Sequence, residues 1–72
     1  MMFPSKEIVE RLRIKYPAGT IVELLEMDDF KAPPIGTKGT VTGVDDTASI
    51  MVKWDNGSCL NVVYGIDHIR KL

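Results

Sequence analysis

The stretch "VKWDNGSCLNVV", residues 52–63, sets two apolar runs on either side of Asp55-Asn56-Gly57, and its register decides which side chains share a core. A two-residue Asn56-Gly57 turn would pair Trp54 with Cys59, Lys53 with Leu60 and Val52 with Asn61, placing an apolar residue opposite a polar one at the last two pairs. A three-residue loop, Asp55-Asn56-Gly57 with Gly57 at positive φ as a G1 bulge, instead pairs Trp54 with Ser58, Val52 with Leu60 and Ile50 with Val62. A slip of one residue turns every side chain to the opposite face, so burial selects the second register. Ile50, Val52, Trp54, Leu60 and Val62 are then expected to face the core. Met51, Lys53, Cys59, Asn61 and Val63 are expected to face outward.

The neighbouring segments have the same texture. "TIVELLEM" (20–27), "KGTVTGV" (38–44) and "SIMVKW" (49–54) are rich in β-branched residues and punctuated by glycine, as strands are, and "SCLNVV" (58–63) completes the hairpin. Between the first two lies "DDFKAPPIGT" (28–37), a loop that Pro33 and Pro34 stiffen toward a polyproline-like path. "DDTA" (45–48) is a tight turn, and Gly65-Ile66-Asp67 reads as a single 3₁₀ turn before a last strand, "HIRKL" (68–72). At the other end, Ser5 is a plausible N-cap, Glu7 suits the helix dipole, and Ile8, Val9, Leu12 and Tyr16 recur at helical spacing. This pattern predicts a helix over residues 5–15, stopped by Pro17-Ala18-Gly19, with an Ile8/Leu12 stripe on the core and Arg11, Arg13 and Lys15 on a solvated face.

This order of elements describes a mainly β fold: one domain over residues 1–72, with a small five-stranded SH3-like barrel at 20–72 and a short N-terminal helix over one open end. Gly36 and Gly39 bracket the start of the second strand, where positive φ or close backbone approach calls for glycine. Trp54 is expected to lie in the core near the hairpin end as a lid, not as a stacking platform.

A chain of 72 residues commits most of its apolar side chains to one core and leaves little for an elaborate active site. No apolar run approaches the roughly 20 residues of a membrane span. The N-terminal residues lack the apolar core of a secretion signal, so a cytoplasmic location and no membrane contact are expected. Cys59 and His68 are the only cysteine and the only histidine. An internal disulfide and a cysteine-based zinc site are thereby excluded, and no metal or cofactor residues are assigned. Cys59 with His68 as its base is the one nucleophilic pairing the chain offers. A lone cysteine is far more often a small strand residue, so no catalytic residue is assigned and the protein is read as a non-enzyme.

"PAGTIVELLEMDD", "APPIGTKGTVTGVDD", "IMVKWDNGS" and "DHIRKL" resemble the bacterial and phage domain-of-unknown-function family 4314 over nearly the whole chain from Lys15 to Leu72. The resemblance rests on the spacing of Gly36, Gly39, the Trp54-Asp55-Asn56-Gly57 block and Asp67. It implies an SH3-like small barrel of mobile-element or phage type with no established activity, and it carries over no catalytic residues.

Two kinds of partner fit these residues. One is a protein, met through the long first loop and the outer sheet face, with Phe30, Pro33, Pro34 and Tyr64 supplying apolar contacts. The other is nucleic acid, with Lys38, Lys53, Arg70 and Lys71 on phosphates and Tyr64 or Phe30 stacking on bases. A formal net charge of −1 favours the protein. The paired tryptophans of peptide-binding SH3 domains are missing from Ser49-Ile50-Met51, which argues against proline-rich ligands. Sequence does not fix the oligomeric state.

Overall fold

The computed structural model describes residues 5–72. Its elements run α1 (Lys6–Lys15), β1 (Ile21–Glu26), β2 (Lys38–Val44), β3 (Ser49–Trp54), β4 (Val62–Val63) and β5 (His68–Lys71). Ser5 caps α1, its Oγ accepting the Ile8 N–H at 3.3 Å, and the helix closes where the Tyr16 N–H donates to the Leu12 carbonyl at 2.7 Å. α1 turns Val9, Leu12 and Tyr16 inward, with Ile8 only half-buried. The core-facing stripe is thus rotated slightly from the Ile8/Leu12 line expected. Arg13 does not lie on a simply solvated face: its Nε donates to the Val44 carbonyl at 3.1 Å and its guanidinium pairs with Asp46 at 3.0 Å, tying the helix to the β2–β3 turn.

All five strands form one antiparallel sheet in the order β4-β3-β2-β1-β5. The fold is mainly β with one short helix, as expected. The barrel is not closed, because no ladder joins β4 to β5. The sheet is nevertheless strongly curled. In a flat sheet its two edges would lie four strand spacings apart, about 19 Å. Yet β4 and β5 are joined only by residues 64–67, and the Val63 carbonyl accepts from both Ile66 N–H (3.1 Å) and Asp67 N–H (2.9 Å), so the edges are drawn to one side. This connection is a turn with Gly65 at φ +82°, not the 3₁₀ turn expected, and the Asp67 carboxylate accepts the Val63 N–H at 2.9 Å.

The β3 hairpin has the three-residue loop that burial selects. Trp54 N–H donates to Ser58 C=O at 2.8 Å, Gly57 N–H to Trp54 C=O at 2.9 Å, Gly57 has φ +91°, and Ile50 pairs with Val62. Ile50, Val52, Trp54 and Val62 are buried. The expected Val52–Leu60 pair is not made, and β4 is shorter than residues 58–63. The Leu60 carbonyl accepts the Trp54 indole N–H at 3.0 Å instead, which pulls residues 59–61 off the ladder and leaves Leu60 half-buried. Trp54, 1% exposed, is a core residue as its position suggests.

The two glycines before and in β2 meet separate needs. Gly36 has φ +92°. Gly39 has no unusual φ, but a Cβ there would stand 2.6 Å from Val52 Cγ1 and 2.8 Å from Trp54 Cε3. Only glycine lets β2 lie flush against those two core side chains.

Candidate functional site

The curl of the sheet leaves a gap between its edges, and α1 lies along it. The resulting cleft, of about 310 Å³, is floored by Leu12, Tyr16, Ile50, Val62 and Ile69, walled by Tyr64-Gly65, and rimmed by Lys15, Asp67 and His68. A second hollow of about 200 Å³, lined by Ile8, Arg11, Leu12, Lys15 and Tyr64, continues it along α1. Tyr64 is common to both and is 52% exposed. It stands there because Gly65 at positive φ and the Asp67 carboxylate fix the turn that carries it. Lys15 Nζ lies 5.3 Å over the Tyr16 ring, and His68 Nε2 is 3.4 Å from Glu26 Oε1 in an exposed pair that screening makes weak.

The remaining residues expected at a site are spread over the molecule. On the outer face of the sheet, Arg70, Glu23 and Lys38 form one cross-strand row, and Ile21, Thr40 and Lys53 the next. Lys38, Lys53 and Arg70 therefore share a face, but Glu23 stands between Arg70 and Lys38 and forms an ion pair with Arg70. Phe30 is 94% exposed on the first loop, with Lys31 Nζ 5.7 Å from its ring. Pro33 is buried, and Pro34 is exposed with its carbonyl accepting both the N–H and the hydroxyl of Thr37. Tyr64 meets α1, not Phe30 or the two prolines, so the structure divides the expected residues among three places.

Cys59 lines a shallow hollow on the outer face with Met51 and Lys53, whereas His68 lines the cleft. The structure does not bring this pair together. On the far side of the β4–β5 turn, Met27, Ile35 and Ile66 line a shallow hollow rimmed by Glu26 and Asp28. What the residue pattern did not reveal is the cleft itself: Leu12, Val62 and Ile69 belong to three segments that only the curl of the sheet unites. Tyr16, one turn beyond Leu12 on the same helical stripe, was the one signal in the sequence.

The cleft and the hollow that continues it can hold an apolar group against an apolar floor and an anion at Arg11 and Lys15. Asp45, whose carboxyl is held below its ordinary value by hydrogen bonds from Thr47 and Ser49, lies in the β2–β3 turn and does not line the cleft. No curated protein and no solved structure matches the chain. The family model described as Domain of unknown function (DUF4314) matches residues 5–72, the whole of the described fold, and the chain belongs to that family.

Proposed function

We propose that this protein is a non-catalytic binding module that holds a short segment of a protein partner in the cleft between α1 and residues 62–69. The observation that carries the reading is the shape and lining of the two joined hollows. They run along the helix, are apolar at the base, and share a half-exposed tyrosine, which suits an elongated peptide better than a compact small molecule. Tyrosine is also among the residues that most often anchor such contacts. Nucleic acid on the outer face has less support, because Glu23 interrupts the row of cations and pairs with Arg70.

Panning a displayed random-peptide library against the intact protein, then titrating the selected peptides into isotope-labelled protein, tests this. Shifts are expected at Leu12, Lys15, Tyr64 and Ile69. Shifts confined to Phe30 or to the Lys38/Lys53 face, or no enriched peptide at all, overturn it. Salt-sensitive binding of an oligonucleotide that disappears in Lys53→Glu installs the nucleic-acid reading in its place.

A further inference from the structure

The two edges of the sheet border the cleft, and they differ in what their backbones have left to offer. On β4, the outward-facing residue is Val63. Its N–H is taken by the Asp67 carboxylate, and its carbonyl accepts from Ile66 and Asp67. That edge is capped by its own turn.

β5 is different. Leu72 N–H donates to the Ile21 carbonyl at 3.0 Å, and the register pairs Arg70 with Glu23 and Lys71 with Val22. Antiparallel backbone groups alternate in direction, so Arg70 and Leu72 point their N–H and C=O toward β1. Ile69 and Lys71 point theirs to the open side, and among the described residues no backbone or side-chain hydrogen bond meets them there. The open edge begins where Ile69 lines the cleft.

From this we infer that β5 receives an added strand: an acidic, extended segment of a partner pairs its main chain with Ile69 and Lys71 and drops alternate side chains into the cleft. The inference rests on the binding-module reading and names its mode of recognition. The partner's acidic character follows from the groups around the edge. Lys71 lies on β5 itself, Lys15 lines the cleft with Ile69, and Arg11 lines the hollow that continues it. Of the acids nearby, Glu26 and Glu23 are paired with His68 and Arg70 and Asp67 accepts the Val63 N–H, which leaves Lys71, Lys15 and Arg11 to meet the partner. The same charges disfavour a second copy of this chain, because pairing β5 with β5 sets cations opposite cations.

Two capped octapeptides serve as probes, one alternating valine with glutamate and one alternating valine with lysine, together with a form of the first that is N-methylated at alternate residues and keeps every side chain. The glutamate peptide is expected to bind and to slow amide exchange at Ile69 and Lys71 at least tenfold. The N-methylated form should bind at least tenfold more weakly, and so should the lysine peptide. Lys71→Pro, which removes an outward N–H and no bond to β1, should melt near the wild type and lose the glutamate peptide, whereas Lys71→Gln, which keeps that N–H and gives up one cation, should weaken it only in part. Equal binding of the N-methylated peptide, with shifts still in the cleft, overturns strand addition and leaves the binding-module reading standing. Equal or tighter binding of the lysine peptide overturns the acidic partner. Binding of neither peptide at millimolar concentration overturns the inference, and so does slowed exchange at Ile69 and Lys71 that appears with protein concentration alone and marks a second copy as the occupant. If Lys71→Pro fails to fold, the N-methylated peptide still decides.

Discussion

At the end of β2, Asp45 N–H donates to Ser49 C=O at 3.0 Å and Ala48 N–H to Asp45 C=O at 3.1 Å; at the end of β3, Trp54 N–H donates to Ser58 C=O at 2.8 Å and Gly57 N–H to Trp54 C=O at 2.9 Å. Each turn places its fourth residue at positive φ, +60° for Ala48 and +91° for Gly57. The hydrogen bonds match while the residues at the strained position do not. Gly57 is exposed, and a Cβ there would meet nothing within 4 Å. Its turn is specified locally, by a residue that adopts positive φ at no steric cost and by the Asn56 side chain, which accepts the Ser58 N–H at 3.0 Å. Ala48 is 0% exposed, and its methyl lies in the core. That turn is specified by its surroundings. Asp45 Oδ1 accepts Thr47 N–H (2.9 Å), the Thr47 hydroxyl (2.6 Å) and Ser49 N–H (3.0 Å), and Arg13 holds Asp46 from the helix. One backbone geometry is thus reached by intrinsic preference in one place and imposed by packing in the other.

If that contrast is right, Ala48→Val is the most damaging single change at either turn. A β-branched side chain at φ +60° is strained by about 1–3 kcal/mol, and two more carbons in a filled core cost a further 1–3 kcal/mol or so. Together these approach the whole stability of a domain this size. We expect the variant to be largely unfolded at 25 °C by circular dichroism, and a cooperative melt close to that of the wild type would show that the core yields at this turn. Gly57→Val meets only the conformational penalty, about 1–3 kcal/mol, since space is open around it. A melting point lowered by more than about 5 °C is expected. No shift would mean that Gly57 does not hold its positive φ in solution.

The same contrast explains which parts of the fold the sequence made legible. Asp55-Asn56-Gly57 announces its turn and, through alternation, the inward faces of Ile50, Val52 and Trp54, because the determinants are neighbours in the chain. "DDTA" reads as a turn but gives no sign that its fourth residue is left-handed, since that requires knowing that the Ala48 methyl is buried. β4 was expected to be too long for a related reason: the Trp54 indole captures the Leu60 carbonyl, a side-chain bond that no periodicity encodes. For the candidate site, Tyr64 was legible as an exposed aromatic beside a glycine turn. The cleft it walls was not, because Leu12, Val62 and Ile69 meet only when the sheet curls.

A smaller effect separates the turns by pH. The Thr47 hydroxyl first, then the Ser49 N–H, hold the Asp45 carboxyl below its ordinary value of 3.8, with lesser help from Thr47 N–H and Arg13 and against some desolvation. A group whose folded pKa is depressed contributes stability above its unfolded pKa and loses it as pH falls through the folded value. The Asp45 contribution is therefore complete at neutral pH and disappears below pH 3.8. Asp45→Asn keeps an oxygen acceptor but no charge. It should melt below the wild type at pH 7, and the gap should close as pH is lowered past 3.8; a gap that is constant with pH would assign the turn's stability to its shape alone. Asn56→Asp, the complementary change in the other turn, adds a carboxylate that meets one N–H, so the acid-dependent gain there should be smaller.

The smallest effect is the most discriminating one. Ala48→Gly relieves a left-handed alanine, a gain of about 1–2 kcal/mol on steric grounds. It also deletes a buried methyl, worth about 0.8 kcal/mol, and loosens the unfolded chain by about 0.4–1 kcal/mol. These terms nearly cancel, and a melting point within about 4 °C of the wild type is expected. Gly57→Ala imposes the same strain with no methyl to bury, so it should lose about 1 kcal/mol outright. The two substitutions exchange the same pair of residues in opposite directions, and identical geometry with independent surroundings would make their effects equal and opposite. The burial of Ala48 breaks that symmetry. Ala48→Gly stabilising by as much as Gly57→Ala destabilises would show that the core contributes nothing to the β2–β3 turn, and that both turns are governed by local preference alone.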